Sequence, residues 1–360
     1  MHQPAQDAIL EQLRTVHDPE LHRDIVNLNM VRKVSVEEGV VTVEVELTTP
    51  ACPMKDRIRG DVEAAVRRVP GVRDVSVTFS ARVRGHARSA VQMPGVRNTI
   101  AVGAGKGSVG KSTVAALLAI GLQREGARVG LLDADVYGPS IPTIMGATDA
   151  KPDVGSDGRI VPVEALGVKL ISIGFFVDPR QAVIWRGPMV HNTVQQFLGN
   201  VEWGELDYLV VDLPPGTGDV PLTLSQSIPM TGAVVVCTPQ DLALADARRA
   251  IMMYATLKVP CLGIVENMSY YVCPHCGKRD DIFDHGGARR AAEEMQVPFL
   301  GGIPLNAGIR LFADEGTPQR CFTAAQAELR DSILNVVRAA AGQVSIRVAQ
   351  EETPPTLSVE

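Results

Sequence analysis

One glycine-rich stretch decides the fold, and it reads Gly105-Lys106-Gly107-Ser108-Val109-Gly110-Lys111-Ser112-Thr113. A short apolar run, 99–103, precedes it and a long apolar segment, 114–122, follows it, so the stretch lies between a predicted strand and a predicted helix. In that setting, glycines let backbone N–H groups curl around phosphate oxygens at a helix N-terminus, where the peptide dipoles favour negative charge. The stretch therefore predicts a phosphate-binding loop rather than a chance glycine-rich turn.

Three side chains of this loop have predicted roles. Lys111 would neutralise the β- and γ-phosphates of a bound nucleotide, and the Ser112 hydroxyl would bind Mg²⁺. Lys106 is unusual, because an ordinary phosphate-binding loop places no constraint on that position. Taken alone, Lys106 can also be interpreted as a solvated loop lysine.

Composition and charge narrow the class of protein. The chain has 360 residues, 45% of them hydrophobic and 21% charged, which suits a globular protein with one large and one small domain. The formal net charge of −6 gives no electrostatic reason to expect nucleic acid as a partner. The N-terminus lacks a basic start followed by an apolar core, and no stretch approaches the ~18 to 20 apolar residues of a spanning helix. We therefore expect a cytoplasmic protein that has no membrane partner.

Residues 1–84 are predicted to form a small α+β domain. Apolar spacing predicts a helix, a hairpin, a second helix and a strand, over 4–16, 30–48, 54–69 and 72–83. The following stretch, 85–97, has no apolar periodicity and is predicted to be a linker.

Residues 98–343 are predicted to form an α/β domain with a mostly parallel sheet flanked by helices, because strands alternate with helices. Continuous apolar runs, typical of strands buried on both faces, occur at 100–102, 129–132, 209–211, 233–237 and 262–265. Helices are predicted over 112–124, 189–197, 242–256, 288–295 and 324–341. The tail, 344–360, is predicted to be disordered.

Carboxylates follow two of the predicted strands. Asp133 and Asp135 follow Leu131-Leu132, and Asp212 follows a hydrophobic run; parallel α/β sheets bind ligands at these carboxyl ends. Asp212 has the placement of a residue that holds Mg²⁺ through water, and Asp135 could orient an attacking water with support from Asp133. Helix capping and turn formation are the alternatives for these aspartates.

A candidate switch follows Asp212, in the segment Pro214-Pro215-Gly216-Thr217-Gly218-Asp219. Its glycines permit a change of backbone path, which Thr217 and Asp219 could couple to the γ-phosphate. The prediction is a segment whose conformation depends on the bound nucleotide.

A second chemical feature is the pair Cys273 and Cys276 on a predicted tight turn. Two thiolates at this spacing chelate one metal ion or cluster. A tetrahedral sulfur site needs four ligands and the chain has no second pair at this spacing, so the simplest completion is the same pair from a second copy. On spacing alone, a redox dithiol or half of a zinc ribbon is an equal alternative. Cys237 and Cys261 are predicted to be core residues, and His275 an exposed one.

Three of these motifs together resemble one family. Lys106–Ser112, Asp133–Ser140 and Asp212–Asp219 are similar to the deviant-Walker-A ATPases, which include MinD and the nitrogenase iron protein. Within that group the resemblance is to the Mrp type, P-loop ATPases regarded as iron-sulfur cluster carriers, and it covers nearly the whole chain. Ser108 departs from the family, which usually has glycine there. If the position needs a left-handed backbone, serine costs about 1 kcal/mol or more, and we expect slow hydrolysis.

The resemblance implies a homodimer that encloses ATP and Mg²⁺. Lys106 would reach across to the partner's phosphates, Asp135 would be the catalytic carboxylate beside Lys111, and Asn267 would contact adenine. The same resemblance favours a [4Fe-4S] cluster that bridges the two copies through Cys273 and Cys276.

Two segments near the N-terminus, Asp18–Leu21 and Leu47–Met54, resemble a small domain that is shared by iron-sulfur assembly factors. Cys52 lies at the predicted start of a helix, where the dipole lowers a thiol pKa and favours the thiolate. Cys52 is therefore a candidate transient ligand, with a helix-entry cysteine of no function as the alternative. His22 and Asn29 occupy positions where glycine is common in that domain.

The leading functional hypothesis is an ATP-hydrolysing carrier that passes its cluster to apoproteins and works with other cluster assembly factors. A MinD-like partitioning ATPase is one alternative and should carry a basic amphipathic helix for membrane attachment, which the acidic, proline-bearing tail does not supply. A nucleotide-gated electron donor resembling the nitrogenase iron protein is the other alternative.

Overall fold

The computed structural model describes residues 6–86, 93–176 and 187–352, which belong to two compact units. One unit comprises Met1–Arg84 with Ser345–Glu360, and the other comprises Gly85–Val344. Part of the predicted linker, 87–92, and the end of the predicted tail, 353–360, lie outside the described residues.

The smaller unit is a three-stranded sheet with two helices. Its elements are α1 Gln6–Leu13, β1 Val31–Glu37, β2 Val40–Leu47, α2 Lys55–Val66 and β3 Asp74–Ala81. β1 pairs with β2 as an antiparallel hairpin, and β3 pairs with β2 in parallel, so α2 is the crossover between β2 and β3. Alternate residues of β2 point into the core, where Val41, Val43 and Val45 pack with Ile9 and Ile58.

The larger unit alternates strands and helices, as predicted. Its strands are β4 Val96–Gly103, β5 Val129–Asp133, β6 Asp153–Val154, β7 Ile160–Val161, β8 Val163–Ala165, β9 Val168–Ser172, β10 Leu206–Asp212, β11 Gly232–Cys237, β12 Cys261–Val272, β13 Arg279–Asp280 and β14 Phe299–Leu305. Its helices are α3 Lys111–Arg124, α4 Ile141–Ile144, α5 Gly187–Gly199, α6 Asp219–Ser227, α7 Asp241–Thr256, α8 Gly287–Met295, α9 Ala307–Asp314, α10 Arg320–Thr323 and the greater part of α11 Ala327–Glu352, whose residues from Ser345 onward belong to the smaller unit.

Nine strands of the larger unit form one sheet in the order β13-β12-β11-β4-β10-β5-β9-β8, with β14 paired to β12. Only the β8–β9 and β12–β13 pairs are antiparallel among the described strands of this sheet. The parallel register sets Asp212 directly between Val102 on β4 and Asp133 on β5. The carboxyl ends of β4, β5 and β10 therefore meet at one edge of the sheet, where the phosphate-binding loop begins. Within the described residues, none of the helices has the length and apolar character required to cross a bilayer.

Two predicted boundaries were wrong. The helix expected to end at Ala341 continues as α11 to Glu352, so residues 344–352 are helical rather than disordered. The signal was present, because Val337, Ala341, Val344 and Val348 recur at helical spacing and all are buried. β4 also begins at Val96, inside the predicted linker.

Candidate nucleotide and cluster sites

The phosphate-binding loop connects β4 to α3, as the sequence predicts. Ser108 adopts a left-handed backbone with φ 63°, and Gly110, which precedes the first residue of α3, has φ 83°. Position 108 therefore does require the conformation that glycine accepts most easily, and a serine there costs about 1 to 2 kcal/mol. The slow hydrolysis expected from this strain stays a prediction.

Two glycines of the loop are required by close packing. A Cβ on Gly105 would lie 2.0 Å from the carbonyl oxygen of Asp246 on α7. A Cβ on Gly110 would lie 2.2 Å from Nδ2 of Asn267, the side chain that donates a 2.9 Å hydrogen bond to the Val109 carbonyl oxygen. The loop is thus fixed from both sides, by α7 and by β12.

Lys111 brings two of the predicted carboxylates together. Its ammonium nitrogen lies 2.6 Å from Asp212 Oδ1 and 3.3 Å from Asp135 Oδ2, and all three side chains are buried. Lys111 Nζ also lies 3.3 Å from the hydroxyl oxygen of Ser112. The candidate catalytic carboxylate and the two candidate Mg²⁺ ligands therefore all lie next to the Lys111 ammonium group.

Asp133 holds the segment that carries Asp135. Its Oδ1 accepts a 3.1 Å hydrogen bond from the Asp135 amide, and its Oδ2 accepts hydrogen bonds from the Ser172 hydroxyl at 2.8 Å and the Ile141 amide at 3.3 Å. Burial, followed by the charge of Asp212, raises the pKa of Asp133 to about 8. Burial also raises the pKa of Asp212, against the opposing charge of Lys111. Ser172 was not among the predicted site residues, because its contact with Asp133 depends on the pairing of β5 with β9.

The candidate switch follows β10. The Gly216 amide donates a 2.8 Å hydrogen bond to the Ala104 carbonyl oxygen, which ties the segment to the start of the phosphate-binding loop. Thr217 is exposed, and Asp219 is the exposed first residue of α6, a helix that the sequence analysis did not predict. Lys106 is half-buried and forms no ion pair among the described residues, so its action on a partner's nucleotide stays a prediction.

A cavity of about 470 Å³ adjoins the loop. Asn267 lies on its wall together with Gly110 and Thr113, and its contact with adenine stays a prediction. Another part of the cavity wall was not predicted. It consists mainly of residues from the end of β14 and from α9: Pro304, Leu305, Asn306, Ile309, Arg310, Ala313 and Asp314. The sequence contained one signal for this wall, because β14 is a strand followed directly by a helix, α9. Ligands of parallel α/β sheets bind at such strand ends.

The cysteine pair lies in the turn between β12 and β13. The Cys273 amide donates to the Lys278 carbonyl oxygen at 3.0 Å, and the Gly277 amide donates to the Cys273 carbonyl oxygen at 2.9 Å, with Gly277 left-handed at φ 67°. Hydrogen bonds from the amides of Cys276 and His275 lower the pKa of the Cys273 thiol. Cys276 and His275 are exposed, as predicted for the latter. Thiolate formation and access for a cluster are both favoured here.

In the part of the chain that the structure describes, no group of three or more His, Cys, Asp or Glu side chains could hold a metal ion. That Cys273 and Cys276 of two copies share one cluster stays a prediction. Cys237 is buried in the core, and burial raises its pKa to about 12, while Cys261 is partly buried.

Cys52 contradicts the expectation of a thiolate at a helix start. It lies shortly before α2 but is only 7% exposed, and burial raises its pKa to about 12, far outweighing the hydrogen bond from the Met54 amide. The negative charges of Glu20 and Asp18 act in the same direction as burial. The predicted lowering of the thiol pKa was wrong, because burial exceeded the effect of the helix terminus.

The loop that follows Asp18 has a strained backbone at the two positions where the related domain commonly has glycine. Asp18 Oδ1 accepts hydrogen bonds from the amides of Glu20 and Leu21, at 2.9 and 2.8 Å. His22 and Asn29 both have a left-handed backbone, with φ 53° and 54°. Asparagine tolerates this conformation, whereas histidine does so less readily.

Comparison with known sequences identifies the larger unit. Residues 95–341 match the model of the family described as NUBPL iron-transfer P-loop NTPase. The chain belongs to this family. The family membership confirms the resemblance and the P-loop α/β fold that the three motifs indicated, and residues 6–79 match the iron-sulfur cluster assembly protein family, as the N-terminal motifs suggested.

Relatives of this NUBPL-type chain cover most of its length. An iron-sulfur cluster carrier protein from Deinococcus radiodurans is 51% identical over 345 residues, which are 96% of this chain and 97% of that protein. A solved nucleotide-binding protein from Archaeoglobus fulgidus, in complex with ADP, is 42% identical with a TM-score of 0.58, and the match covers 64% of this chain and 90% of that one. The cell division ATPase MinD of Pyrococcus furiosus, 20% identical with a TM-score of 0.51 over 67% of this chain and 97% of its own, shares the fold.

Proposed function

We propose that this protein is an ATP-hydrolysing carrier that binds a [4Fe-4S] cluster between two copies of itself and transfers the cluster to apoproteins. The observation that carries the proposal is the hairpin turn at the end of β12, where Cys273 has a lowered thiol pKa and Cys276 is exposed. Four sulfur ligands complete a cluster site when two such hairpins meet. A relative named as a cluster carrier at 51% identity supports the same function.

Nucleotide binding is supported by the geometry of the loop. Lys111 would leave Asp212 and Asp135 for the β- and γ-phosphates, with the loop amides cradling the same oxygens. Asp135 would then orient a water molecule for attack on the γ-phosphorus, the bond to the bridging oxygen would break, and ADP and phosphate would leave. Lys106, which is half-buried on the same loop, would add positive charge to the partner's phosphates.

Mg²⁺ fits the donor set at this site. Asp212 Oδ2 is buried without a hydrogen-bond partner among the described residues, and the Ser112 hydroxyl lies beside the same lysine. Ser112 and Asp212 would hold the ion, which supplies positive charge to the phosphate oxygens when it is bound.

The exposed position of the cysteines suits transfer better than storage. Thiolates of an acceptor can replace Cys273 and Cys276 as ligands one at a time only where the cluster is reachable, and Cys276 is exposed. Assembly factors that load the cluster would use the same access. The nucleotide would act by favouring one arrangement of the two copies over another.

Anaerobic reconstitution followed by transfer tests the function. We expect about four iron and four sulfide per dimer, loss of nearly all cluster iron in Cys273→Ala and Cys276→Ala, and activation of an apo-acceptor enzyme by the loaded wild-type protein. Cys321→Ala is the matched control, because Cys321 is buried with a pKa of about 12 and should not bind the cluster.

The competing electron-donor function has its own result in this experiment. A cluster that stays bound through repeated reduction and reoxidation, with no activation of the acceptor, would favour an electron donor. A strictly monomeric protein that binds zinc and no iron-sulfur cluster would contradict the proposal.

A further inference from the structure

Strand β12 contacts both candidate sites. Asn267 and Met268 line the cavity beside the phosphate-binding loop, and the strand then continues to Val272, immediately before Cys273. Cys273 is six positions beyond Asn267, which is about 20 Å in an extended chain. No other described strand links the nucleotide cavity to the cysteine turn so directly.

The strand is irregular at the cavity. Between its pairings Asn267–Ile303 and Tyr271–Leu305, β12 uses two more residues than β14 does. Met268 lies in this bulge with a left-handed backbone, φ 55°, which is uncommon for a side chain of its kind. A bulge of this type re-aims the strand and is retained only where its surroundings fix it.

Glu266 fixes the bulge on its N-terminal side. Its carboxylate is fully buried and accepts two hydrogen bonds, from the Ser269 hydroxyl at 2.6 Å and from the Ala288 amide at the start of α8 at 2.8 Å. Glu266 is also the last residue of β12 that pairs with β11. Beyond it, β12 no longer pairs with β11; it pairs with β14 at Asn267 and Tyr271 and with β13 only at Tyr271 and Val272.

Ser269 completes the anchor from within the bulge. A Cβ on Gly302 of β14 would lie 2.7 Å from the Ser269 hydroxyl oxygen, so the serine fits only against a glycine. The hydroxyl and Glu266 therefore set the direction in which Asn267 points. Asn267 Nδ2 uses that direction to donate to the Val109 carbonyl oxygen, 2.9 Å away.

We propose that Glu266 and Ser269 are positioning residues that make the β12 bulge the link between nucleotide occupancy and the cysteine turn. The inference rests on the proposed function, because a base bound in the cavity would compete with Val109 for the Asn267 amide. The amide then has two discrete partners, one in the empty site and one in the occupied site, which is the two-state element that coupling requires. A change at Asn267 turns the bulge about the Glu266 anchor and moves the strand end at Cys273.

Thiol reactivity in the full-length, cluster-free protein measures this link. We expect Mg²⁺ with a non-hydrolysable ATP analogue to change the alkylation rates of Cys273 and Cys276 at least about fivefold in the wild type. Ser269→Ala, measured at a concentration of the analogue that saturates the variant, should reduce that change to less than about twofold. Glu266→Gln should have the same effect. Ser345→Ala, which removes another buried hydroxyl away from β12, should keep the wild-type response.

Hydrogen exchange on the wild type provides a second measurement that needs no variant. Adding the analogue should change the exchange rates of the amides of 267–272. A thiol response that persists in Ser269→Ala, or one that occurs in the wild type with no change along 267–272, would overturn the proposal. Because the thiols are measured without a cluster, failure here leaves cluster loading and transfer intact, and failure of loading leaves this test valid.

Discussion

Two regions of the molecule place a cysteine at the boundary of a secondary-structure element, and they give it opposite chemistry. Cys52 precedes α2 in the smaller unit and has a thiol pKa of about 12, whereas Cys273 follows β12 in the larger unit and has a lowered pKa. Both thiols receive hydrogen bonds from backbone amides. The difference shows that amide donors promote a thiolate only where burial and neighbouring carboxylates do not oppose them.

The largest effect expected from this contrast is in alkylation rate. At pH 8 a thiol with a pKa of about 12 is ionised to about one part in 10⁴, whereas Cys273, whose pKa is lowered from the ordinary thiol value, is ionised to a far larger extent. We expect Cys273 to react with iodoacetamide at least about 10³ times faster than Cys52 in the native protein, as measured by mass spectrometry of timed samples.

Cys321 serves as the internal reference in the same samples. Burial raises its pKa to about 12, as it does for Cys52, so the two buried thiols should react at similarly slow rates. Rates for Cys52 and Cys273 that agree within about tenfold would show that Cys52 is accessible and ionised. Cys52 would then again be a candidate transient ligand.

A smaller effect is expected from Glu20, whose charge adds to the high pKa of Cys52. Burial, and then the charge of Asp18, raises the pKa of Glu20 to about 7, so at pH 8 this carboxylate is mostly ionised. Glu20→Gln removes that charge and should speed alkylation of Cys52 about threefold at pH 8, and hardly at all at pH 6. Glu11→Gln, an exposed change on α1, is the control and should alter neither rate.

The same residue makes stability depend on pH. Between about pH 4.5 and 7 the folded protein keeps the Glu20 proton while the unfolded chain has released it, so the folded state binds more protons. The contribution of Glu20 to the free energy of unfolding is therefore complete below pH 4.5 and is lost as the pH rises through 7. Denaturant unfolding of Glu20→Gln should show a smaller loss of stability over this range than the wild type. An equal loss of stability in both proteins would mean that a group other than Glu20 causes the pH dependence.

Short-range patterns made most of the fold predictable. The loop 105–113 and the apolar strands around it require only local spacing, and the structure contains the predicted strand and helix on either side. The carboxylates Asp133 and Asp212 could be placed at one sheet edge because parallel strands end together.

The parts of the site that were missed depend on contacts between distant segments. Ser172 binds Asp133 from a neighbouring strand, and Arg310 reaches the cavity from a helix near the other end of the unit. The Cys52 prediction failed for a similar reason, since burial by the packed core cannot be read from the residues next to it. Local sequence indicates which groups are available, and the packing decides their charge and their neighbours.

The smallest expected effect compares backbone strain in the two units. His22 and Ser108 have nearly the same left-handed φ, 53° and 63°, one in the smaller unit and one in the phosphate-binding loop. Glycine at either position relieves about 1 to 2 kcal/mol of strain but adds about 0.5 to 1 kcal/mol of entropy to the unfolded chain. We expect His22→Gly and Ser108→Gly each to raise the free energy of unfolding by up to about 1 kcal/mol, as measured by denaturant titration.

Nucleotide affinity separates these two variants. Ser108 already has its left-handed backbone without a nucleotide, so relief of strain should stabilise the free and bound states equally and leave the dissociation constant for ATP unchanged within about twofold. His22→Gly should leave that constant unchanged as well. Tighter binding in Ser108→Gly alone would mean that the loop changes its path when the nucleotide arrives, and that position 108 controls affinity through the strain of its serine.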